Sequence, residues 1–288
     1  MAAVEAKVCP GVCLWQAGAE ARTGKQTMYN FEFVKPTSIE EAVAALADEE
    51  AQPLSGGQTL IPTMKQRLNA PGVLVSLLGI EEMRHVGMEG DLLTVGAATS
   101  HAEIARLAAT SYPALAALAG QIGDPAVRSR GTIGGSLANN DPAACYPAAA
   151  LASAAVIVTD RREIAADDFF EGMFTTALEE GEIVTAVRFP IPEGAAYVKF
   201  EQPASRFAMT GVFIARFASG VRVAVTGASE EGVFRWAEAE NALSADFSRK
   251  AIADLSLPAE GMMSDLHGSA EYRAHLVKVM TGRAVAAA

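Results

Sequence analysis

The chain is short of cysteine, of positive charge and of aromatic side chains. Cys9, Cys13 and Cys145 are the only cysteines in 288 residues, an odd set that builds no disulfide framework. Cys9 and Cys13 lie close together, but no second pair or histidine cluster completes a metal site with them. An iron–sulfur cluster normally takes four thiolates, so this chain alone is not expected to hold one. Few thiols and no disulfide framework fit a reducing, cytoplasmic setting. Lys and Arg number 23 against 34 Asp and Glu, a net charge of −11. That balance argues against a dominant role on nucleic acid or an anionic membrane, both of which reward positive surface. It does not exclude small anions, which backbone amides bind without basic side chains. A long apolar run is missing too. The uncharged stretch Pro142–Thr159 is broken early by Pro142 and Pro147, so a short helix followed by the strand Val156–Thr159 is expected there, not a transmembrane span. The four histidines, His85, His101, His267 and His275, are scattered and read as surface or capping residues. No Ser/His/Asp or Cys/His set suggests nucleophilic catalysis.

What the chain does have is apolar mass. Half its residues are hydrophobic and a fifth are charged, which excludes a disordered polar chain. Residues 1–27 stand apart. Val8–Trp15 is too short and too interrupted by Pro10 and Gly11 for a secretory core. An N-terminal extension, disordered or preceding a functional start at Met28, is expected, with a redox-active Cys9/Cys13 pair as the alternative.

From Asn30 onward strand-like and helix-like pieces alternate. Phe31–Val34 predicts a strand. Ser38 predicts a helix cap, with Glu41 at capping-box spacing and the helix running through Asp48. Pro53–Leu54, Val73–Leu77 and Leu92–Val95 read as strands, with Glu89-Gly90-Asp91 as a turn. Thr59–Leu68 and residues 100–121 read as helical. After Pro190-Ile191-Pro192, three antiparallel strands are expected (Tyr197–Phe200, Val212–Phe217, Val221–Val225), with Ser219-Gly220 as a two-residue hairpin turn. A helix over Ala270–Arg283 follows. The expected architecture is α+β, with a boundary near residue 192.

Two glycine segments carry the functional signal: Pro53-Leu54-Ser55-Gly56-Gly57-Gln58-Thr59-Leu60 and Gly131-Thr132-Ile133-Gly134-Gly135-Ser136-Leu137-Ala138-Asn139. Each is expected to be a tight turn between a β-like run and a helix start. Glycine there permits positive φ and lets backbone amides approach an anion with no Cβ in the way. One such turn only joins elements; two, flanked by Ser55, Thr59, Thr132 and Ser136, suggest a diphosphate held from two sides. Neither segment has the glycine spacing of the dinucleotide-binding G-x-G-x-x-G or the G-K-[ST] of a phosphate loop. A dinucleotide would therefore not be bound in a doubly wound sheet.

These segments, with Met64-Lys65-Gln66-Arg67-Leu68 and Ala138-Asn139-Asn140-Asp141-Pro142, resemble the FAD-binding medium subunit of the molybdenum hydroxylases, of the carbon monoxide dehydrogenase and xanthine dehydrogenase type. The resemblance continues through Gly181-Glu182-Ile183-Val184, Arg188-Phe189-Pro190, Tyr197-Val198-Lys199-Phe200 and Ala270-Glu271-Tyr272-Arg273, and spans residues 28–286. It implies a p-cresol methylhydroxylase-type FAD-binding domain in two subdomains over 28–192 and, over 193–288, the smaller α+β domain that ends medium subunits. It implies FAD held by Ser55, Gly56, Gly57, Gln58, Thr59 and Leu60 and by Thr132, Ile133, Gly134, Gly135 and Ser136, the amides of Ser55–Thr59 and Thr132–Ser136 binding the pyrophosphate. Asp141, Val184, Lys199 and Phe207 complete the implied set, with Lys199 near the polar edge of the flavin ring. Three residues depart from the family pattern: Ser136 replaces the frequent Asn, Cys145 an Asp or Glu, and Phe207 a tyrosine. The implied partners are a molybdopterin-binding large subunit and a [2Fe-2S] small subunit, in a dimer of heterotrimers, with NAD, quinone or oxygen as electron acceptor. A stand-alone flavoprotein oxidoreductase and a non-catalytic dinucleotide-binding assembly subunit are the alternatives.

Overall fold

The computed structural model describes residues 28–288; the expectations for residues 1–27, Cys9 and Cys13 included, lie outside the described residues. The chain first runs β1 (Glu32–Val34), α1 (Ile39–Ala45), β2 (Ala51–Leu54), α2 (Leu60–Lys65) and β3 (Val73–Ser76). β3 lies between β1 and β2, parallel to both, as strands joined through helical crossovers do. The β4 (Val86–Glu89) and β5 (Leu92–Gly96) hairpin follows. Five short helices come next: α3 (His101–Leu107), α4 (Pro113–Gly120), α5 (Pro125–Arg130), α6 (Ile133–Asn139) and α7 (Tyr146–Ala152). β6 (Val156–Thr159), β7 (Glu163–Ala165), α8 (Ala166–Phe169), a small hairpin of β8 (Phe170–Gly172) and β9 (Thr175–Thr176), and β10 (Val184–Pro190) complete this part. The resulting antiparallel sheet has the order β4-β5-β10-β6-β7. After Pro190 the chain enters a second antiparallel sheet, a meander of β11 (Gly194–Glu201), β12 (Ala208–Phe217), β13 (Gly220–Ser229) and β14 (Gly232–Arg235), followed by α9 (Ala237–Ala245) and α10 (Ala270–Ala287).

The meander is covered on both faces. Along β12, Phe213 and Ala215 belong to the core shared with the five-stranded sheet and α7, while Val212 and Ile214 pack with Leu276, Val277 and Met280 of α10. Alternation in a strand sends successive side chains to opposite faces, so two buried faces call for a continuous apolar run; β12 has one over Val212–Ala215, within a stretch buried from Ala208.

Several elements differ from the sequence expectation, each for a local reason. Ser38 does cap α1, accepting the Glu41 N–H, but the Glu41 carboxylate accepts from the N–H and hydroxyl of Thr37 instead of closing a box on Ser38. α1 stops at Ala45, before Asp48, and α2 stops at Lys65, with Arg67 in the left-handed region at φ +61°. The stretch 100–121 is two helices, because Pro113 opens the second at its first turn. The β12–β13 turn uses Ala218-Ser219, one residue earlier than expected, with Gly220 pairing Phe217.

One clasp fixes the entry to β10. The Glu182 carboxylate is fully buried and accepts from Arg162 Nε and Nη2 at 3.0 Å each, from the Thr159 hydroxyl at 2.7 Å and from the Glu179 N–H at 2.8 Å. Arg162 above all, helped by the other donors, holds its pKa down at about 2 from an ordinary 4.5. A depressed carboxylate stabilises the fold fully above its unfolded value, and this contribution is lost as pH falls from 4.5 towards about 2. Glu182→Gln is expected to lower stability at neutral pH by about 2 kcal/mol and to flatten this acid dependence in denaturant unfolding. Unchanged stability at pH 7 would show that the clasp contributes nothing.

Candidate functional site

The two glycine segments meet. β2 ends at Leu54 and the chain turns through Ser55–Thr59, with Gly57 at φ +69°. A Cβ on Gly56 would overlap the carbonyl oxygen of Arg130 and the Cα of Gly131. Backbone therefore lies on backbone here, which only glycine allows. Beside this contact the Ser55 and Thr132 hydroxyls are hydrogen-bonded at 2.7 Å.

The second segment is not a turn after a β-like run. Asp124 caps α5 through the Val127 N–H, with Pro125 at the first helical position, so residues 125–130 are helical. Thr132 then caps α6 directly, accepting the Gly135 N–H at 3.2 Å. Gly134 and Gly135 sit in the first turn of that helix and neither has positive φ. Their small size serves packing: Gly134 donates its N–H to Ala97 O at 2.9 Å, and a Cβ there would strike Ala97.

This changes the division of labour between the segments. Four amides of the second segment already have protein acceptors: Ile133 N–H with Thr99 O, Gly134 with Ala97 O, Gly135 with Thr132 Oγ1, and Ser136 with Thr132 O. In the first segment the amides of Gly56, Gly57, Gln58 and Thr59 have no protein acceptor among the described residues. The cradle of open donors is thus one-sided, and the second segment adds the Thr132 and Ser136 side chains.

A cavity of about 690 Å³ runs along this junction and is lined by both segments, a volume in the range of cofactor sites. Ser55, Gly56, Gly57, Gln58, Thr59, Leu60, Thr132, Gly134, Gly135 and Ser136 all reach it, as do Asp141, Val184, Lys199 and Phe207. Ile133 does not: its side chain is wholly buried in the core on the other side of α6. Asp141 accepts the Ala143 N–H at 2.8 Å, closing the turn after α6. Between the lining residues Asn139 and Asp141, Asn140 adopts φ +41° and donates to Gly172 O and Thr175 O, anchoring the β8–β9 hairpin. Pro142 O accepts from Gly227 N–H and the Thr226 hydroxyl, tying the same motif to the meander. Phe207 is half-exposed at the rim, and Cys145 is buried, its thiol pushed up mainly by burial.

Lys199, expected near the flavin, has a side chain only 2% exposed. His101 differs from its sequence reading and is no surface residue. It is buried at the start of α3 against Tyr146, ring centroids 5.3 Å apart. Burial, reinforced by Arg128, pushes its pKa down to about 4, so the imidazole is neutral at ordinary pH. The Ser100–Glu103 capping box, a signal present in the sequence, fixes the start of α3 but not which side of it faces the cavity. Among the described residues no cluster of His, Cys, Asp or Glu could hold a metal ion, and no helix is long and apolar enough to cross a membrane.

A cavity lined by open amides together with apolar and cationic side chains fits a dinucleotide bound through its diphosphate. Residues 29–192 match the family model of the FAD binding domain in molybdopterin dehydrogenase. Fold and site together define a FAD-binding subunit of a flavoprotein oxidoreductase. The chain is 33% identical to the carbon monoxide dehydrogenase medium chain of Hydrogenophaga pseudoflava over 277 residues, covering 90% of this chain and 96% of the relative. It is 34% identical to the nicotine 6-hydroxylase medium subunit of Paenarthrobacter nicotinovorans over 270 residues, covering 88% and 95%. Among solved structures, reconstituted carbon monoxide dehydrogenase from Oligotropha carboxidovorans aligns with TM-score 0.82 at 31% identity, covering 91% of this chain and 98% of that one. The chain belongs to the FAD-binding medium subunits of the molybdenum hydroxylase family.

If the loop junction builds the site, Gly56→Val should abolish FAD retention by separating the segments. Ser55→Ala should weaken binding about fivefold, the worth of one hydrogen bond. Fluorescence titration of flavin-free protein measures both. Near-wild-type affinity in both variants would place the cofactor elsewhere.

Proposed function

We propose that this chain is the electron-transfer subunit of a molybdenum-dependent hydroxylase or dehydrogenase. It takes electrons from the iron–sulfur clusters of a partner subunit and passes them through FAD to an external acceptor: NAD, quinone or oxygen. FAD, when bound, supplies a centre that takes electrons singly and releases them singly or as a hydride. The protein's own contribution is to hold, orient and shield it. The open amides of Gly56–Thr59 receive the diphosphate, with the hydroxyls of Thr132 and Ser136 beside it. Gln58, Leu60, Gly134 and Gly135 line the cavity beside these donors, and Ile133 supports them from the core. Val184, Lys199, Phe207, Asp141 and Cys145 line it as well. The working division of the chain is a FAD-binding domain over 28–192 and a C-terminal domain over 193–288.

The observation that carries this reading is the state of the ionisable groups on the cavity wall. Glu182 is clasped by Arg162, Asp141 closes its own turn, and Lys199 donates to two backbone carbonyls. Burial disfavours ionisation of both Cys145 and His101. The structural commitments of Glu182, Asp141 and Lys199, with burial acting on Cys145 and His101, favour substrate chemistry on another chain over direct oxidation by an acid or base on this wall. The names of the relatives support the same arrangement, since they are medium chains or FAD subunits of larger enzymes. The partners proposed are a molybdopterin-binding large subunit and a [2Fe-2S] small subunit, assembled as a dimer of heterotrimers.

The test is purification of the chain alone and with its co-expressed partner subunits, each loaded with FAD. Both are exposed to substrates of the kinds named for the relatives: carbon monoxide, nicotine and glyceraldehyde. The flavin absorbance is expected to bleach only in the complex. Bleaching of the isolated chain by substrate would establish a stand-alone oxidoreductase, and a chain that cannot be loaded with FAD would leave only an assembly role.

A further inference from the structure

The loop joining β11 to β12 is longer than a meander needs. β12 and β13 are joined by two residues, whereas Gln202–Phe207 separates β11 from β12 at the cavity rim. The ladder slips between Phe200 and Glu201 just before it. The loop then folds on itself, with Arg206 N–H donating to Gln202 O at 2.8 Å and Gln202 N–H to Phe207 O at 2.9 Å. Arg206 takes φ +61°, a strained conformation for a residue with a side chain. Ser205, Arg206 and Phe207 all line the cavity.

Lys199 holds this loop inward. Its ammonium donates to Arg206 O at 2.6 Å and to Gln121 O at 2.8 Å, the latter at the C-terminal cap of α4. Burying an ammonium group is costly unless acceptors replace its water. Here two carbonyls do so, with the Glu201 carboxylate 3.9 Å away. A lysine with most of its donors committed in this way is fixed in place, and it bridges segments far apart in the chain.

We propose that Lys199 is a positioning residue. It latches the 202–207 loop, and Phe207 with it, against the end of α4, and so governs how readily FAD leaves and an acceptor enters. The proposal rests on the reading that this cavity holds FAD. It gives Lys199 a task in addition to any charge it places near the flavin.

The peptide bond after Arg206 offers a direct readout, because its carbonyl is the one Lys199 holds. An arginine-specific protease is applied to the full chain, flavin-free and FAD-loaded, and the rate of cleavage after Arg206 is followed by mass spectrometry. Lys199→Met is expected to raise that rate at least tenfold in both forms and to speed FAD dissociation by a comparable factor. Lys199→Gln, which keeps a donor for one carbonyl, should fall between, and it carries the test if the methionine variant does not fold. Unchanged cleavage after Arg206 in the folded variants overturns the latch, even if FAD binding weakens, since Lys199 would then act on the flavin itself. Failure of the wild-type chain to load FAD would overturn the cavity reading, while the flavin-free comparison still decides whether Lys199 holds the loop.

Discussion

Gly56 presses its backbone against Arg130 and Gly131 with no side chain between them, and the functional geometry follows from that contact. It brings the turn after β2 in the parallel sheet to the start of α6, which is seated on the five-stranded sheet through Gly134 and Ala97. The Ser55–Thr132 hydroxyl pair closes the seam. With Gly57 in the left-handed region, the amides from Gly56 to Thr59 are left without protein acceptors among the described residues. Unsatisfied donors at a partly enclosed surface are unfavourable unless water or a ligand takes them. A diphosphate is a suitable acceptor, and its charge is met by aligned peptide dipoles.

This arrangement reconciles the cofactor with the chain's acidity. A net charge of −11 opposes anion binding at long range, but salt screens such fields within about 10 Å. Local dipoles act at contact distance. Two cations at or behind the cavity wall are used for structure: Arg162 neutralises Glu182, and Lys199 binds carbonyls.

The broad outline was legible in the sequence because it rests on short-range signals. Ser38 and the glycine-bearing turn at 55–57 are read from local spacing, and the apolar run of β12 follows from a strand covered on both faces. The succession of elements and both cavity-lining segments could be found in this way. Signals that depend on distant packing could not. Gly134-Gly135 looks like a turn because glycine is a poor helix former; it is helical because Thr132 caps it and Ala97 accepts its close approach. His101 looks like a solvent-facing polar residue until α3 packs it against Tyr146. Which amides are already spent is likewise a tertiary fact, since the acceptors of Ile133 and Gly134 lie on the segment after β5.

The central claim is that the first segment supplies the open donors and the second supports it. Backbone amide resonances of the ¹⁵N-labelled chain, followed during titration of the flavin-free protein with FAD, test this most directly. Large shifts and slowed exchange are predicted for Gly56, Gly57, Gln58 and Thr59, with small changes at Ile133 and Gly134, whose hydrogen bonds are internal. Equal, large perturbation of both segments, or none at Gly56–Thr59, would contradict the account.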